Sequence, residues 1–170
     1  MTECEHCKLA EKGEKVFESK NIVAVMSDKP AALGHVVVLP KEHYTIMEQV
    51  PDFIIAEMMN AANKLSTSLF EMMKIEGTNI IVSNGTASGQ NVPHFSMSII
   101  PRSSNDGLGF VWQPKSMDEE KMSTIRLQIE HEAKNIGEFK KEEKKPEEAP
   151  KPEEITDEED YMAKQLERIP

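Results

Sequence analysis

Two cysteines near the start of the chain, Cys4 and Cys7, form a C-x-x-C pair whose thiolates could do chemistry. In a reducing compartment this spacing indicates metal binding or redox chemistry more often than a structural disulfide. Zinc bound by two thiolates needs two further ligands in a tetrahedral array. The chain offers five imidazoles for these places: His6, His35, His43, His94 and His131. Spacing alone favours His43 and His94, and a reduced, metal-free pair remains the alternative.

A second segment with chemical interest, "NVPHFSMSII" at 91–100, alternates polar and apolar residues. His94, Ser96 and Ser98 recur at every second position, with apolar residues between them. A period of two is typical of a β-strand whose two faces differ. We expect the apolar face to join the core. The other face, with one imidazole and two hydroxyls, should meet whatever the protein binds.

The composition limits the class of protein. The chain has 170 residues, 38% of them hydrophobic and 29% charged, which predicts one globular domain with appendages. It has no apolar run of about 18 residues and no secretory signal, so we expect no membrane span and a cytoplasmic location. The net charge of −10 does not favour direct nucleic-acid binding. The last 33 residues, with 12 acidic and 7 basic side chains, hold half of that excess.

Periodicity predicts four strands and a long helix before the 91–100 segment. Short β-branched segments predict strands at 15–19, 21–27, 33–40 and 78–85, the last of which leads into a glycine-rich loop. Apolar residues at helical spacing predict the helix after the third strand. These residues are Ile54, Met58, Ala61, Leu65, Leu69 and Met72. The first hundred residues therefore predict a sheet with one long helix inserted in its strand order.

The composition changes in the last third of the chain. Residues 116–137 predict an amphipathic helix that opens with a capping box of Ser116 and Glu119. Residues 138–154 are charged and contain prolines, which predicts a disordered linker. Residues 155–170 predict a short amphipathic helix. Its apolar side carries Tyr161, Met162, Leu166 and Ile169. So short a helix needs a surface, either its own domain or a sister subunit, or a macromolecular partner.

Two segments, "GHVVVLPKEHY" and "NGTASGQNVPHFSMSIIPR", together resemble the histidine triad (HIT) family of nucleotide hydrolases and transferases, in which a strand reads His-x-His-x-His. The resemblance implies an α+β HIT-like domain over residues 1–115. Its sheet would have about five antiparallel strands, with a helix between strands 3 and 4, and two subunits would form a homodimer. The resemblance also implies a structural zinc ion held by Cys4, Cys7, His43 and His94. Nucleotide contacts are implied for Asn84, Gly89 and Gln90.

The departures from the family pattern all fall on active-site positions. Ser96 stands where active members have the histidine that attacks the α-phosphorus, and Ser98 stands where they have the third triad histidine. Ser27 aligns with an aspartate that usually meets the ribose, although Asp28 is adjacent. Ser83 aligns with a common asparagine. The resemblance therefore covers the fold and the zinc ligands better than the catalytic residues.

These serines predict a loss of catalysis. Imidazole attacks phosphorus as a neutral nitrogen, whereas the Ser96 hydroxyl must first lose its proton to a base within hydrogen-bond reach. The base expected on that face of the strand is His94, whose lone pair is assigned to zinc. We therefore expect no catalytic residue in this chain.

Three functions of different classes remain open. We prefer a catalytically inactive, zinc-stabilised dimeric scaffold whose tethered C-terminal helix docks a macromolecular partner. The second is a nucleotide-binding sensor or carrier that retains a degraded pocket. The third is a residual hydrolase or transferase that uses Ser96 or a displaced histidine.

Overall fold

A computed structural model describes residues 4–135 of the chain. Within them a five-stranded antiparallel sheet has the order β1-β2-β3-β5-β4. Its strands are β1 (Lys15–Glu18), β2 (Ile22–Met26), β3 (Val36–Pro40), β4 (Gly77–Ile81) and β5 (Met97–Arg102). The helices are α1 (Glu5–Lys12), α2 (Asp52–Met73) and α3 (Glu119–Glu132). This architecture confirms the predicted α+β fold with a long helix between strands 3 and 4.

One face of the sheet packs against α2 and forms the main core. Alternate residues of β2, β3 and β5 pack against the apolar stripe of the helix, as the two periodicities require. The buried set includes Ile22, Ala24, Val36, Val38, Met97, Ile99, Ile54, Met58, Ala62 and Leu69. The prediction was wrong at Met72, which is 75% exposed, whereas Met73 packs against the core. At about 100° per residue Met72 and Met73 lie towards opposite edges of the buried stripe, so helical spacing alone does not distinguish them.

The opposite face of the sheet is partly covered by α1. The buried side chains of Val23, Val25, Val37 and Leu39 form a small cluster here, and α1 contributes Leu9 and Ala10 to its edge. No residue of α1 is itself buried. The sequence analysis did not predict this helix. The part of the face that α1 leaves open carries the cavity described below.

The last strand is shorter than predicted. It begins at Met97, and the residues before it form bends outside the strand pairing. Pro93 has no N–H to donate to a ladder, and the N–H of His94 bonds the Val92 carbonyl at 2.8 Å. His94 therefore precedes the strand instead of lying on it. The predicted alternation still holds, since Phe95 is buried with the α2-facing core.

The chain divides into two units between Asp118 and Glu119. In the second unit α3 begins at Glu119, three residues after Ser116, so the capping box predicted at Ser116 is wrong. The predicted apolar stripe of this helix is exposed, with Met122 at 53% and Ile129 at 61%. The predicted linker and terminal helix lie outside the described residues. Among the helices that the structure describes, none has the length and apolar character needed to cross a bilayer.

Candidate metal site and ligand cavity

The four predicted zinc ligands lie together at one end of the sheet. Cys4 precedes α1 and Cys7 lies in its first turns, His43 follows β3, and His94 precedes β5. Their ligand atoms all lie within 4.8 Å of one another. Cys7 Sγ is 3.3 Å from Nδ1 of both His43 and His94, and Cys4 Sγ is 3.6 Å from His94 Nδ1. Tetrahedral zinc with ordinary bond lengths places sulfur and nitrogen ligands about 3.6 Å apart.

The His94 ring is oriented for this role. Its Nε2–H donates to the Pro40 carbonyl at 3.2 Å, which leaves the lone pair of Nδ1 facing the two thiols. Burial lowers the pKa of His94 to about 4, so the ring stays neutral, which is the form that binds metals. The tautomer and the protonation state of the His94 ring therefore both favour metal binding through Nδ1.

The surroundings of the Cys7 thiol disfavour its ionised form. Burial and then the neighbouring Cys4 raise the pKa of Cys7. A bound dication reverses this preference because it stabilises both thiolates. The donor set of two sulfurs and two imidazoles therefore fits a metal ion, and these four residues could hold one.

A cavity of about 420 Å³ opens beside this cluster, on the sheet face that α1 partly covers. Ser98 of β5 pairs with Val37 of β3 and with Ile81 of β4, and all three residues line the cavity. Ser96, one residue before the strand begins, lines it as well. The two serines that the resemblance places at the second and third triad positions therefore form part of its floor. Ser27, for which the resemblance implies the position of a ribose-contacting aspartate, also lines the cavity.

Gln90 lines the cavity, but its side-chain amide is already bonded. Its Oε1 accepts the N–H of Gly85 at 2.8 Å. Its Nε2 donates to the carbonyls of Thr45 at 2.7 Å and Val92 at 3.0 Å. The side chain thus ties the glycine-rich loop to two neighbouring segments.

Gly89 lines the cavity and Asn84 does not. The Asn84 side chain accepts the N–H of Met47 at 2.9 Å and donates to Glu48 at 2.8 Å. The role of Gln90, Gly89 and Asn84 in nucleotide binding stays a prediction.

Two imidazoles that the sequence analysis did not place there also line the cavity. His35 is buried, its Nδ1 accepts the Ala31 N–H at 3.1 Å, and its Nε2 has no partner among the described residues. The His6 ring is hydrogen-bonded to the backbone of His94. Its buried Nδ1 also faces this cavity region and has no hydrogen-bond partner among the described residues. The expectation that His94 is the one base near the serines is therefore wrong.

The sequence contained a signal for both residues. His35 lies two positions before Val37, so the strand period places them on the same face. His6 lies three positions before Leu9, on the same face of α1. Between residues 4 and 135, neither unpartnered nitrogen is hydrogen-bonded to Ser96 or Ser98.

Sequence comparison identifies relatives with named activities. The chain is 28% identical over 131 residues to the adenosine 5'-monophosphoramidase HNT1 of Saccharomyces cerevisiae, covering 74% of this chain and 80% of the relative. It is 29% identical over 121 residues to the adenylylsulfatase HINT3 of Arabidopsis thaliana, covering 69% of this chain. The match spans 59% of that longer relative.

Solved structures share the fold. A member of the HIT family from Bacillus subtilis superposes with a TM-score of 0.69 at 27% identity, covering 76% of this chain and 96% of the other. A Zn-bound histidine triad family protein from Mycobacterium smegmatis gives a TM-score of 0.59 at 24% identity, covering 76% of this chain and 94% of the other. The HIT domain family matches residues 8–105, more than half of the chain. The chain therefore belongs to the HIT domain family.

Proposed function

We propose that this chain is a catalytically inactive HIT-family protein that acts as a zinc-stabilised, homodimeric binding scaffold. The observation that carries the proposal is the presence of Ser96 and Ser98 on the floor of the cavity, with neither hydroxyl bonded to an imidazole among the described residues. A serine without a bonded base is a weak nucleophile at neutral pH.

One feature of the cavity and the chemistry of serine both support the loss of catalysis. The lone pair of His35 Nδ1 already accepts the Ala31 N–H, so its free Nε2 carries the proton and acts as a donor, not as a base. If Ser96 did form a covalent nucleotidyl intermediate, its serine oxygen would be a poor leaving group. The imidazole of a nucleotidyl-histidine leaves readily, so that intermediate turns over. In subtilisin, loss of a nucleophile or its base costs on the order of a millionfold in rate.

The identity of the metal as zinc is part of the proposal. Two sulfur and two nitrogen ligands in a tetrahedral arrangement favour zinc over the harder divalent cations. A relative of the same fold is described as Zn-bound. Four protein ligands leave no open position for water, so the role expected for the ion here is structural.

Turnover of adenosine 5'-phosphoramidate tests the proposed inactivity. The unmodified chain, a restored S96H/S98H variant and an S96A/S98A control are compared at equal zinc content. We expect the unmodified chain to match S96A/S98A at background and the restored variant to exceed both by about 100-fold or more. An unmodified chain as fast as the restored variant, and faster than S96A/S98A, would overturn the proposal.

Partner docking through residues 155–170 is the second part of the proposal. These residues lie outside the described range, and their support is the apolar set Tyr161, Met162, Leu166 and Ile169. Deletion of 155–170 should leave the thermal midpoint of the domain unchanged and abolish recovery of a specific partner. A large loss of stability would show instead that the segment folds back on its own domain or sister subunit.

A second candidate function is that of a sensor or carrier for a nucleotide-like ligand. The cavity favours it, since about 420 Å³ is within the usual size range of small-molecule sites. Calorimetry with AMP, GMP and ADP tests this candidate. Absence of heat at millimolar ligand removes nucleotides from consideration.

A further inference from the structure

Cys4 and Cys7 lie one turn apart, where the chain enters α1. Cys4 is the N-cap of the helix and has an extended backbone, with φ −68° and ψ 125°, and Cys7 is the third helical residue. Their Sγ atoms are among the four ligand atoms that lie within 4.8 Å of one another. C-x-x-C motifs of this kind also form the reversible disulfides of thioredoxin-like oxidoreductases. The two thiols are therefore close enough, in sequence and in space, to be oxidised together.

The pair is accessible to small molecules from one side. Both cysteines are free thiols, and both are half-buried. A second cavity, of about 400 Å³, is lined by Cys4, His43, Thr45 and Pro93. His43 is itself exposed. A molecule as small as hydrogen peroxide can therefore reach Cys4 without unfolding of the domain.

The two thiols connect α1 to the sheet in their reduced form and not in their oxidised form. With a metal bound, they would be joined through it to His43 and His94, which lie 36 and 87 residues beyond Cys7. A disulfide joins Cys4 to Cys7 alone and leaves no thiolate to bind a metal. A link that closes a long loop restricts the unfolded chain more than one that closes a single turn. Oxidation therefore exchanges a link between α1 and the sheet for a link inside α1.

Apart from this cluster, α1 is held weakly. None of its eight residues is buried, and Leu9 and Ala10 pack against the edge of the apolar cluster on the sheet. An ion pair joins Glu5 to Lys29 at 3.1 Å, but both side chains are exposed, so it contributes little. The His6 ring adds one hydrogen bond to the segment before β5. Because an eight-residue helix is unstable alone in water, loss of the metal link should detach α1.

We propose that Cys4 and Cys7 form a site of reversible oxidation by a peroxide, and that their disulfide expels the metal and detaches α1. The proposal deepens the zinc part of the proposed function and rests on it. One thiolate attacks a peroxide oxygen and breaks the O–O bond, which gives a sulfenic acid and releases hydroxide. The other thiolate attacks the sulfenic sulfur, forms the S–S bond and displaces a second hydroxide. The two sulfurs give two electrons to the peroxide, and two protons from solvent convert the hydroxides to water.

Treatment of the zinc-loaded full chain with hydrogen peroxide tests the proposal. A chromogenic chelator measures released zinc, and peptide mapping measures the disulfide separately from oxidation of the 11 methionines. We expect one Cys4–Cys7 disulfide for each zinc ion released, and reversal of both changes by dithiothreitol and added zinc. A pair that stays reduced in millimolar peroxide, a pair that goes to sulfinic acid without a disulfide, or a disulfide that leaves the zinc bound would overturn the proposal.

Trypsin measures the detachment of α1 by its rate of cleavage after Lys12, in the last turn of this helix. Oxidation should speed that cleavage about tenfold or more and leave cleavage after Lys64, in the middle of α2, unchanged. Cys4→His is the matched variant, since it keeps four ligands but leaves Cys7 without a second thiol. It should retain its zinc in peroxide and show no faster cleavage after Lys12. Equal cleavage of the unmodified chain before and after oxidation would contradict the detachment.

The outcome is separable from the other parts of the proposed function. Metal analysis before any oxidant is added tests zinc binding, and turnover of the phosphoramidate tests inactivity. If the chain holds zinc and peroxide neither releases it nor links the cysteines, the oxidation proposal fails and the zinc-stabilised scaffold stands. A chain that cannot be loaded with zinc overturns both, and the metal analysis identifies this case.

Discussion

The metal cluster and the cavity are neighbours along the segment that leads into β5. This segment contributes His94 to the cluster and Ser96 to the cavity. Every position of the cluster holds a residue that binds metals, from Cys4 to His94. The neighbouring cavity is lined by Ser96 and Ser98, which the resemblance places at two histidine positions of the triad. Two residues along one segment thus separate a cluster of four metal-binding side chains from a cavity whose floor carries two hydroxyls.

The difference follows from what each site does for the fold. α1 has eight residues, fewer than the roughly 12–15 that an isolated helix needs in water, and none of them is buried. Leu9 and Ala10 pack it against the sheet, and a metal ion held by Cys4, Cys7, His43 and His94 would attach it further. We therefore expect loss of a ligand to affect folding. Ser96 and Ser98 form half-buried parts of a cavity floor, where exchange of an imidazole for a hydroxyl leaves the sheet intact.

Removal of the metal should have the largest effect. Cys7→Ser, or chelation of the unmodified chain, should lower the thermal midpoint by roughly 10–20 °C, because a ligand at 1,000 times its Kd contributes about 4 kcal/mol. Calorimetry and metal analysis on the same samples measure this. His131→Ala on α3 is the control and should change neither quantity. A metal-free chain with an unchanged thermal midpoint would contradict the claim that the cluster, unlike the cavity, stabilises the fold.

A smaller effect is expected at the turn that directs His35 into the cavity. Gly34 has φ +86°, and an added Cβ would lie 2.7 Å from Met73 Sδ. Gly34→Ala should cost about 2–3 kcal/mol of unfolding free energy in urea, most of it from the positive φ, because the flexible end of Met73 can partly move aside. Gly107→Ala is a matched control, since its φ is +77° with nothing within 4 Å, and should cost about 1 kcal/mol. Equal costs would contradict the close packing argued for Gly34.

The smallest effect is expected away from both regions, at the end of β5. Arg102 holds the pKa of Asp106 well below its ordinary value through bonds of 2.5 and 2.9 Å. A depressed carboxyl pKa stabilises the fold fully above the unfolded value, near 4. This stability falls progressively below that value and is lost as the pH passes through the lower folded-state pKa. The difference in thermal midpoint between the unmodified chain and Asp106→Asn should therefore be constant above pH 5 and shrink toward pH 3.

The control for that measurement is Glu130→Gln, which removes an exposed pair with Arg126 on α3. Exposed pairs of this kind contribute little, so its midpoint should follow the unmodified chain at every pH. A difference at Asp106 that does not shrink at all between pH 5 and pH 2.5 would show that hydrogen-bond geometry, and not ionisation, accounts for the effect.

The sequence predicted the sheet, α2 and the four cysteine and histidine residues that the fold brings together, because each has a local pattern. β-branched segments and helical spacing predict elements directly, and the C-x-x-C pair restricts the choice of imidazoles. It did not predict α1, whose eight residues have no apolar stripe long enough to detect. The bend before β5 was missed because the alternation at 91–100 continues through it.

The roles of the other imidazoles depend on contacts distant in sequence. His35 shares a face with Val37, but the sequence does not show that its Nε2 has no hydrogen-bond partner or that it lines the same cavity as Ser96 and Ser98. The position of His6 between Cys4 and Cys7 indicates a metal ligand and gives no sign of the cavity. The internal bonds of Gln90 connect segments 45 residues apart, which no local pattern predicts.

The most direct measurement of the central claim is intact-mass spectrometry of the zinc-loaded chain during incubation with adenosine 5'-phosphoramidate. Without an imidazole at position 96, we expect no adenylyl adduct on the unmodified chain at any time, and a transient adduct on S96H/S98H. An adenylyl adduct that forms and clears on the unmodified chain at the rate seen for S96H/S98H would contradict the account.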